Sequence, residues 1–319
     1  MRLSIVVPMF NEEAGIQEFF VRMESVISVL VNDFGLGRGE IEVLLVNDGS
    51  TDNTFNLLHH LCENHPGYRL INLSRNYGHQ IAISAGIEIS TGEAVVIIDG
   101  DLQDPPEFIP DLYRKFSEGY DVVSAVRSKR EGETFFKLWT AKLFYRLMKK
   151  LTRVDIPLDA GDFRIISRRV AQALSQMHEK HRFIRGMVSW VGFKQTSLEY
   201  VREKRFAGET KYPLRKMLKF ALDAITSFSS FPLRLSSYLG FMAASLGFFY
   251  SVVIFYTKFF TDRAVPGWTS IIIVVLFLGG VQLICLGMIG EYLSRLSEES
   301  KNRPLYLIEG VYQRKEQKK

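Results

Sequence analysis

The chain of 319 residues contains only two cysteines, Cys62 and Cys285. They lie far apart and in unlike surroundings, which excludes a disulfide framework and a Cys-ligated zinc site and fits a reducing compartment. Acidic residues are unevenly scarce. Residues 1–126 hold 7 Lys+Arg against 19 Asp+Glu, whereas residues 127–319 hold 33 against 16, and positions 134–154 carry no acid at all. The modest net charge of +5 therefore hides an acidic part suited to a metal and a basic part suited to phosphates, nucleic acid or an anionic membrane. Disorder is excluded, because 47% of the residues are hydrophobic and only 24% charged. No secretory leader is expected at the start: the apolar run 3–7 is short and meets Pro8, Asn11, Glu12 and Glu13 at once.

Charge is also missing from two long stretches, 235–257 and 264–290. The first, 23 residues long, corresponds to about 34 Å of helix at about 1.5 Å per residue, enough to cross a hydrocarbon core of about 30 Å. Trp268 near one end of the second stretch is placed as an interfacial aromatic, and Gly279 and Gly280 allow close helix approach. Two C-terminal transmembrane helices are therefore expected, at about 235–257 and 266–290, with a buried hairpin of a soluble protein as the alternative. The short loop between them carries Lys258 and Arg263 against Asp262. Arg215, Lys216, Lys219 and Arg234 flank one side, and Arg295, Lys301 and Arg303 the other. The positive-inside rule then puts both termini in the cytoplasm, with residues 294–319 as a basic tail.

The first 126 residues alternate short β-branched runs (3–7, 41–46, 68–73, 94–98, 122–126) with helical stretches (12–30, 54–62, 80–89). That pattern predicts an α/β domain over residues 1–210, a mostly parallel sheet with crossover helices, whose ligands sit beyond the carboxyl ends of the strands. Segment 134–151 mixes aromatic and basic residues and is expected to lie on a membrane surface, the alternative being a core-facing helix with a solvated basic face. Residues 211–234 have similar character and are expected to form a juxtamembrane helix.

The sharpest motif is Asp99-Gly-Asp101-Leu-Gln103-Asp104-Pro-Pro, directly after an apolar strand. Carboxylates spaced by two at a strand end can surround one Mg²⁺ or Mn²⁺ and leave positions open for substrate phosphates, although turns favour Asp and Gly for conformational reasons alone. A second motif, Val46-Asn-Asp-Gly-Ser-Thr-Asp52, offers Asp48 as an acceptor for a nucleobase N–H and Ser50 or Asp52 as helix caps.

Together with Val6-Val-Pro-Met-Phe-Asn-Glu12, Leu73-Ser-Arg-Asn-Tyr-Gly78, Gly161-Asp-Phe-Arg164 and Arg205-Phe-Ala-Gly-Glu-Thr-Lys211, these motifs resemble the family 2 glycosyltransferases of GT-A fold. With the two C-terminal spans, the resemblance narrows to the polyprenyl-phosphate glycosyltransferases, especially the bactoprenol glucosyltransferases of O-antigen glucosylation. It implies that Pro8, Asn11, Glu12, Asp48 and Arg75 hold the nucleotide sugar, and that Asp99, Asp101 and Gln103 ligate Mg²⁺ or Mn²⁺. Arg205 and Lys211 would grip phosphates, and Asp162 would lie at the reaction centre with Asp101. The implied reaction is an inverting transfer of a single hexose, glucose from UDP-glucose, to undecaprenyl phosphate, with GlcNAc, galactose, mannose or aminoarabinose as the alternative sugars and with a membrane and no nucleic acid as partner. A flippase, a second glycosyltransferase and self-association would complete the setting. Arg127, Arg130 and Lys137 are the candidates for the acceptor phosphate, attraction to lipid headgroups being their alternative role. Trp190 follows Ser189 where processive synthases have Arg, which argues for single transfer. His79 is expected to be structural. A metal-dependent nucleotidyltransferase and a non-catalytic membrane scaffold are the competing readings.

Overall fold

The computed structural model describes residues 2–128, 160–201, 231–260 and 267–314. The expected segment 134–151 and most of 211–234 fall outside them, as do Arg130, Lys137, Arg205 and Lys211. The chain divides into two compact units, residues 1–212 with 304–319, and residues 213–303.

The first unit is built on an eight-stranded sheet. In chain order it contains β1 (Leu3–Met9), α1 (Ile16–Phe34), β2 (Ile41–Asn47), α2 (Thr54–Asn64), β3 (Tyr68–Leu73), α3 (His79–Ile89), β4 (Ala94–Ile97), α4 (Ile109–Ser117) and β5 (Val122–Arg127). Then follow β6 (Ala160–Ser167), α5 (Arg168–Gln176), α6 (Ile184–Trp190), β7 (Gln195–Tyr200) and, after the second unit, β8 (Ile308–Gln313). The strand order is β7-β5-β6-β4-β1-β2-β3-β8. β1 pairs in parallel with β2 and β4, β2 with β3, and β5 with β7. β6 runs antiparallel between β4 and β5, and β8 antiparallel along β3. All five expected strands are present in this mostly parallel α/β sheet.

β1 and β2 are buried at every position because helices cover both faces of the sheet. α1 packs Ile16, Phe19, Met23, Val26, Ile27 and Leu30 inward at helical spacing. α3 comes so close to the sheet that a Cβ on Gly86 would lie 2.2 Å from Val6 Cγ1. That approach fixes where the first turn of α3 stands.

The second unit contains two long helices, α7 (Phe231–Phe260) and α8 (Trp268–Ser300), that pack on each other. The Cys285 thiol lies 3.5 Å from the Ser236 carbonyl. Among the described residues, Phe277–Ser300 is long and apolar enough to cross a membrane, and α7 contributes the shorter apolar run Tyr238–Tyr250. α8 continues well past residue 290, its charged last turns carrying an Arg295–Glu291 pair at 3.0 Å. Within residues 294–319, expected as a basic tail, Ile308–Gln313 form the last strand of the sheet. β8 escapes sequence reading because Ile-Glu-Gly-Val-Tyr-Gln is half polar and lies on an exposed sheet edge.

Candidate active site

The carboxyl ends of β1, β2, β3 and β4 carry the motif loops to one rim of the sheet, where ligands of such sheets bind. β6 is antiparallel, so its beginning, not its end, reaches that rim. Its register places Arg164 opposite Ile97 of β4, which brings Asp162 alongside Asp99.

Asp162 is buried and held on several sides. Arg185 of α6 donates through Nε to Oδ1 at 2.9 Å and through Nη2 to Oδ2 at 3.1 Å. Gln80 donates to Oδ2 at 3.0 Å, and its own Oε1 accepts the Ile184 amide at 2.9 Å, tying the starts of α3 and α6 to the same carboxylate. Burial alone would raise its pKa, but Arg185 and His79 outweigh that and hold it well below the ordinary carboxylate range. Asp162 is thus a fixed anion and a poor proton acceptor.

His79, the first residue of α3, stands between the two acidic motifs. Its Nε2 lies 3.3 Å from Asp99 Oδ1 and 3.4 Å from Asp162 Oδ2, with 44% of the side chain exposed. Loss of hydration lowers its pKa, but Asp99 and Asp162 prevail and raise it to about 9. The His79–Asp162 pair is fully formed below the ordinary histidine value of about 6.5 and is lost as pH rises through the folded one.

Burial and the nearby carboxylates of Asp162, Asp104 and Asp101 push Asp99 up to about 6, against the pull of His79. Its Oδ1 is buried and accepts no hydrogen bond, and Asp101 Oδ1 accepts the Gln103 amide at 3.1 Å. Leu102 between them is buried with φ +59°, a left-handed conformation that is costly for a branched side chain. Excess negative charge, a buried oxygen that accepts no hydrogen bond and a turn held under strain fit a divalent cation. No group of three or more His, Cys, Asp or Glu among the described residues is arranged to hold one alone. Two carboxylates would leave most of the coordination shell to substrate oxygens.

The neighbouring loops after β1 and β2 are stitched together. Asn11, with φ +54°, accepts the Thr51 amide on Oδ1 at 2.8 Å, while its own amide donates to Ser50 Oγ at 3.1 Å. The Glu12 amide donates to Thr54 Oγ1 at 3.0 Å. Pro8, the last but one residue of β1, is in register with Val46. Asp48 accepts the Tyr77 and Gly78 amides at 2.7 and 2.9 Å, so its carboxylate shapes the loop leading to His79. Arg75 lies over the Tyr77 ring at 4.7 Å. Gly49 has φ +64°, and a Cβ there would lie 2.3 Å from the Arg75 carbonyl carbon. Gly49→Ala is expected to lose at least about 2 kcal/mol of stability, read from the denaturation midpoint, because backbone strain and a backbone clash coincide.

Arg127 sits apart from this cluster, at the end of β5. Its Nε donates to Tyr200 Oη at 3.3 Å and its Nη2 lies 3.8 Å from Asp104, whose Oδ1 accepts the Tyr200 hydroxyl. Its guanidinium thus braces the Tyr200 and Asp104 side chains. Sequence reasoning missed Arg185 and Gln80, which belong to no motif, and treated His79 as structural. For His79 the available signal was its place immediately after Gly78 at a helix start, facing two acidic motifs.

Residues 4–175 match the model of glycosyl transferase family 2, and residues 231–296 match that of the GtrB C-terminal hairpin. An uncharacterized glycosyltransferase of Bacillus subtilis, YkcC, is 49% identical over 98% of this chain and 94% of its own length. The prophage bactoprenol glucosyl transferase homolog of Escherichia coli is 40% identical, covering 98% of this chain and 99% of that one. The bactoprenol glucosyl transferase of Shigella phage SfV is 40% identical over 98% and 100%. With the family model spanning more than half of its length and relatives of this identity aligned nearly end to end, the chain belongs to glycosyl transferase family 2.

Proposed function

We propose that this protein transfers one glucose from UDP-glucose to undecaprenyl phosphate at the cytoplasmic face of a membrane, by metal-dependent inverting displacement. The observation that carries the reading is the meeting, at one rim of the sheet, of the acidic Asp99–Asp101 turn with an Asp162 carboxylate locked by Arg185, His79 and Gln80. The near end-to-end likeness to proteins named bactoprenol glucosyl transferase supplies the sugar and the lipid.

In this reading the loops of Pro8, Asn11, Glu12, Asp48 and Arg75 hold the nucleoside. Asp99, Asp101 and Gln103 hold Mg²⁺ or Mn²⁺, and Arg205 and Lys211 grip phosphate. Bound there, the cation supplies charge neutralisation to the departing diphosphate. An oxygen of the lipid phosphate attacks the anomeric carbon, and the bond to the nucleoside diphosphate breaks. A phosphate monoester, with a second pKa of about 6, is largely dianionic at neutral pH and needs little help from a base. Asp162, kept ionised and pinned, orients the reacting groups. Arg127, Arg130 and Lys137 are assigned to the acceptor phosphate, and Arg127 also braces Tyr200 and Asp104. α7 and α8 serve as a two-span anchor, and use of the glucosylated lipid on the far face would require a flippase and a second glycosyltransferase.

The test uses the full chain in nanodiscs with undecaprenyl phosphate, offered UDP-glucose, UDP-galactose, UDP-GlcNAc, UDP-aminoarabinose or GDP-mannose. Release of UDP with glucose appearing in the lipid extract, abolished by EDTA and restored by Mg²⁺ or Mn²⁺, is expected. Preference for another donor would overturn the sugar assignment. Release of pyrophosphate would instead identify a nucleotidyltransferase.

A further inference from the structure

We propose that Glu309, on the strand that follows the helical hairpin, is a positioning residue for the donor site, acting through a one-way relay of hydrogen bonds across the sheet. The inference rests on the assignment of the donor nucleoside to the loops after β1 and β2.

Asn47 and Asn72 are register partners on β2 and β3, and beside Asn72 the β3–β8 ladder shifts from Asn72–Gly310 to Leu73–Ile308, which leaves Glu309 as the extra residue next to Asn72. Glu309 Oε2 accepts from Asn72 Nδ2 at 2.8 Å. Asn72 Oδ1 accepts from Asn47 Nδ2 at 2.7 Å. Asn47 Oδ1 accepts both the Ser50 hydroxyl, at 2.6 Å, and the Ser50 amide, at 3.3 Å. Ser50 Oγ in turn accepts the Asn11 amide at 3.1 Å. Every donor in this chain points from the nucleoside loops toward β8.

That sense is fixed at both ends. A carboxylate can only accept, so Asn72 must turn its NH₂ toward Glu309 and its oxygen toward Asn47. The Ser50 amide can only donate, so Asn47 must turn its oxygen toward the loop. Asn47 and Asn72 are buried, where an unmet polar group is expensive, so neither amide can reverse without leaving a mismatched pair somewhere in the row. Two further bonds seat the segment that carries Glu309. The Ser74 amide donates to the Leu307 carbonyl at 3.0 Å, and the Tyr306 hydroxyl to Glu88 at 2.6 Å.

The discriminating substitutions are Glu309→Lys and Glu309→Gln in the full chain. Lysine places a donor where the relay needs an acceptor and forces a mismatch inward, whereas glutamine can still present an oxygen to Asn72. Glu309 lies on the exposed edge, so neither change disturbs the core. Hydrogen exchange followed by mass spectrometry, in nanodiscs without donor, should show residues 48–53 exchanging about tenfold faster in the lysine variant and within about twofold of wild type in the glutamine variant. With UDP-glucose, the lysine variant should raise the donor KM about tenfold with kcat within about twofold, and glutamine should restore it. Unchanged exchange in the lysine variant would sink the relay whether or not UDP-glucose is the donor. Faster exchange with an unchanged KM would sink the positioning role. If the wild type turned over no UDP-glucose, the donor assignment would fail, and the exchange result would still judge the relay.

Discussion

Replacing Asp99 or Asp101 by Ala is expected to lower the rate of sugar transfer about 10³-fold at saturating Mg²⁺ or Mn²⁺, since charge stabilisation at the leaving diphosphate is lost. Stability should behave differently from activity. Asp99 is held among Asp101, Asp104 and Asp162, and its folded pKa, about 6, lies above the ordinary value. A group shifted in this direction favours the folded state most when protonated, and that advantage fades as pH rises through the folded value. Removing its charge at pH 7.5 in metal-free buffer should therefore leave the melting temperature unchanged or higher. UDP release assays, Mn²⁺ titration calorimetry and thermal melts on the same samples check the set. Near-normal turnover by either variant would remove the metal assignment.

Arg185→Leu is expected to cost about 3 kcal/mol or more, because it strands the Asp162 carboxylate in the interior without its principal partner. The effect has a pH signature. In the wild type, Asp162 is depressed well below the usual range, so its contribution is complete above the unfolded value of about 3.9 and is lost only in stronger acid. The gap between wild type and variant should accordingly be full at neutral pH and shrink as acid protonates the stranded carboxyl. Arg185→Leu combined with Asp162→Asn should recover part of the stability of the single variant and none of the transfer activity. Equal denaturation midpoints for Arg185→Leu and wild type at pH 7 would show that the pair does not hold the site together.

The sequence made the parallel half of the sheet legible because β1 to β4 are largely buried and read as mostly apolar runs, interrupted by Ser4, Glu42 and Arg69, each followed by a polar loop at the rim. It made the Asp99–Asp101 turn legible because the acids directly follow a buried strand, at the end of such a sheet where ligands bind. What escaped was whatever depended on strand direction or pairing. Asp162 could be tied to the acidic turn only by resemblance, since its contact with Asp99 exists because β6 is reversed between β4 and β5. Arg185 lies on a short helix with no periodic or motif signal, and only the fold brings it to Asp162. Asn72 reads as an ordinary strand residue until Glu309, 237 positions away, is seen beside it.

A chain that leaves a sheet and later rejoins it has crossed any bilayer in the interval an even number of times. Strands β1 to β7 precede the two long helices and β8 follows them, all within one sheet. Parity thus forbids a single crossing. If the apolar length of Phe277–Ser300 spans a membrane, a second passage lies elsewhere between β7 and β8, and among the described residues α7 offers the shorter apolar run Tyr238–Tyr250. Reporter tags at the two ends of the chain should then be accessible from the same side, and a tag inserted between residues 261 and 266 from the other.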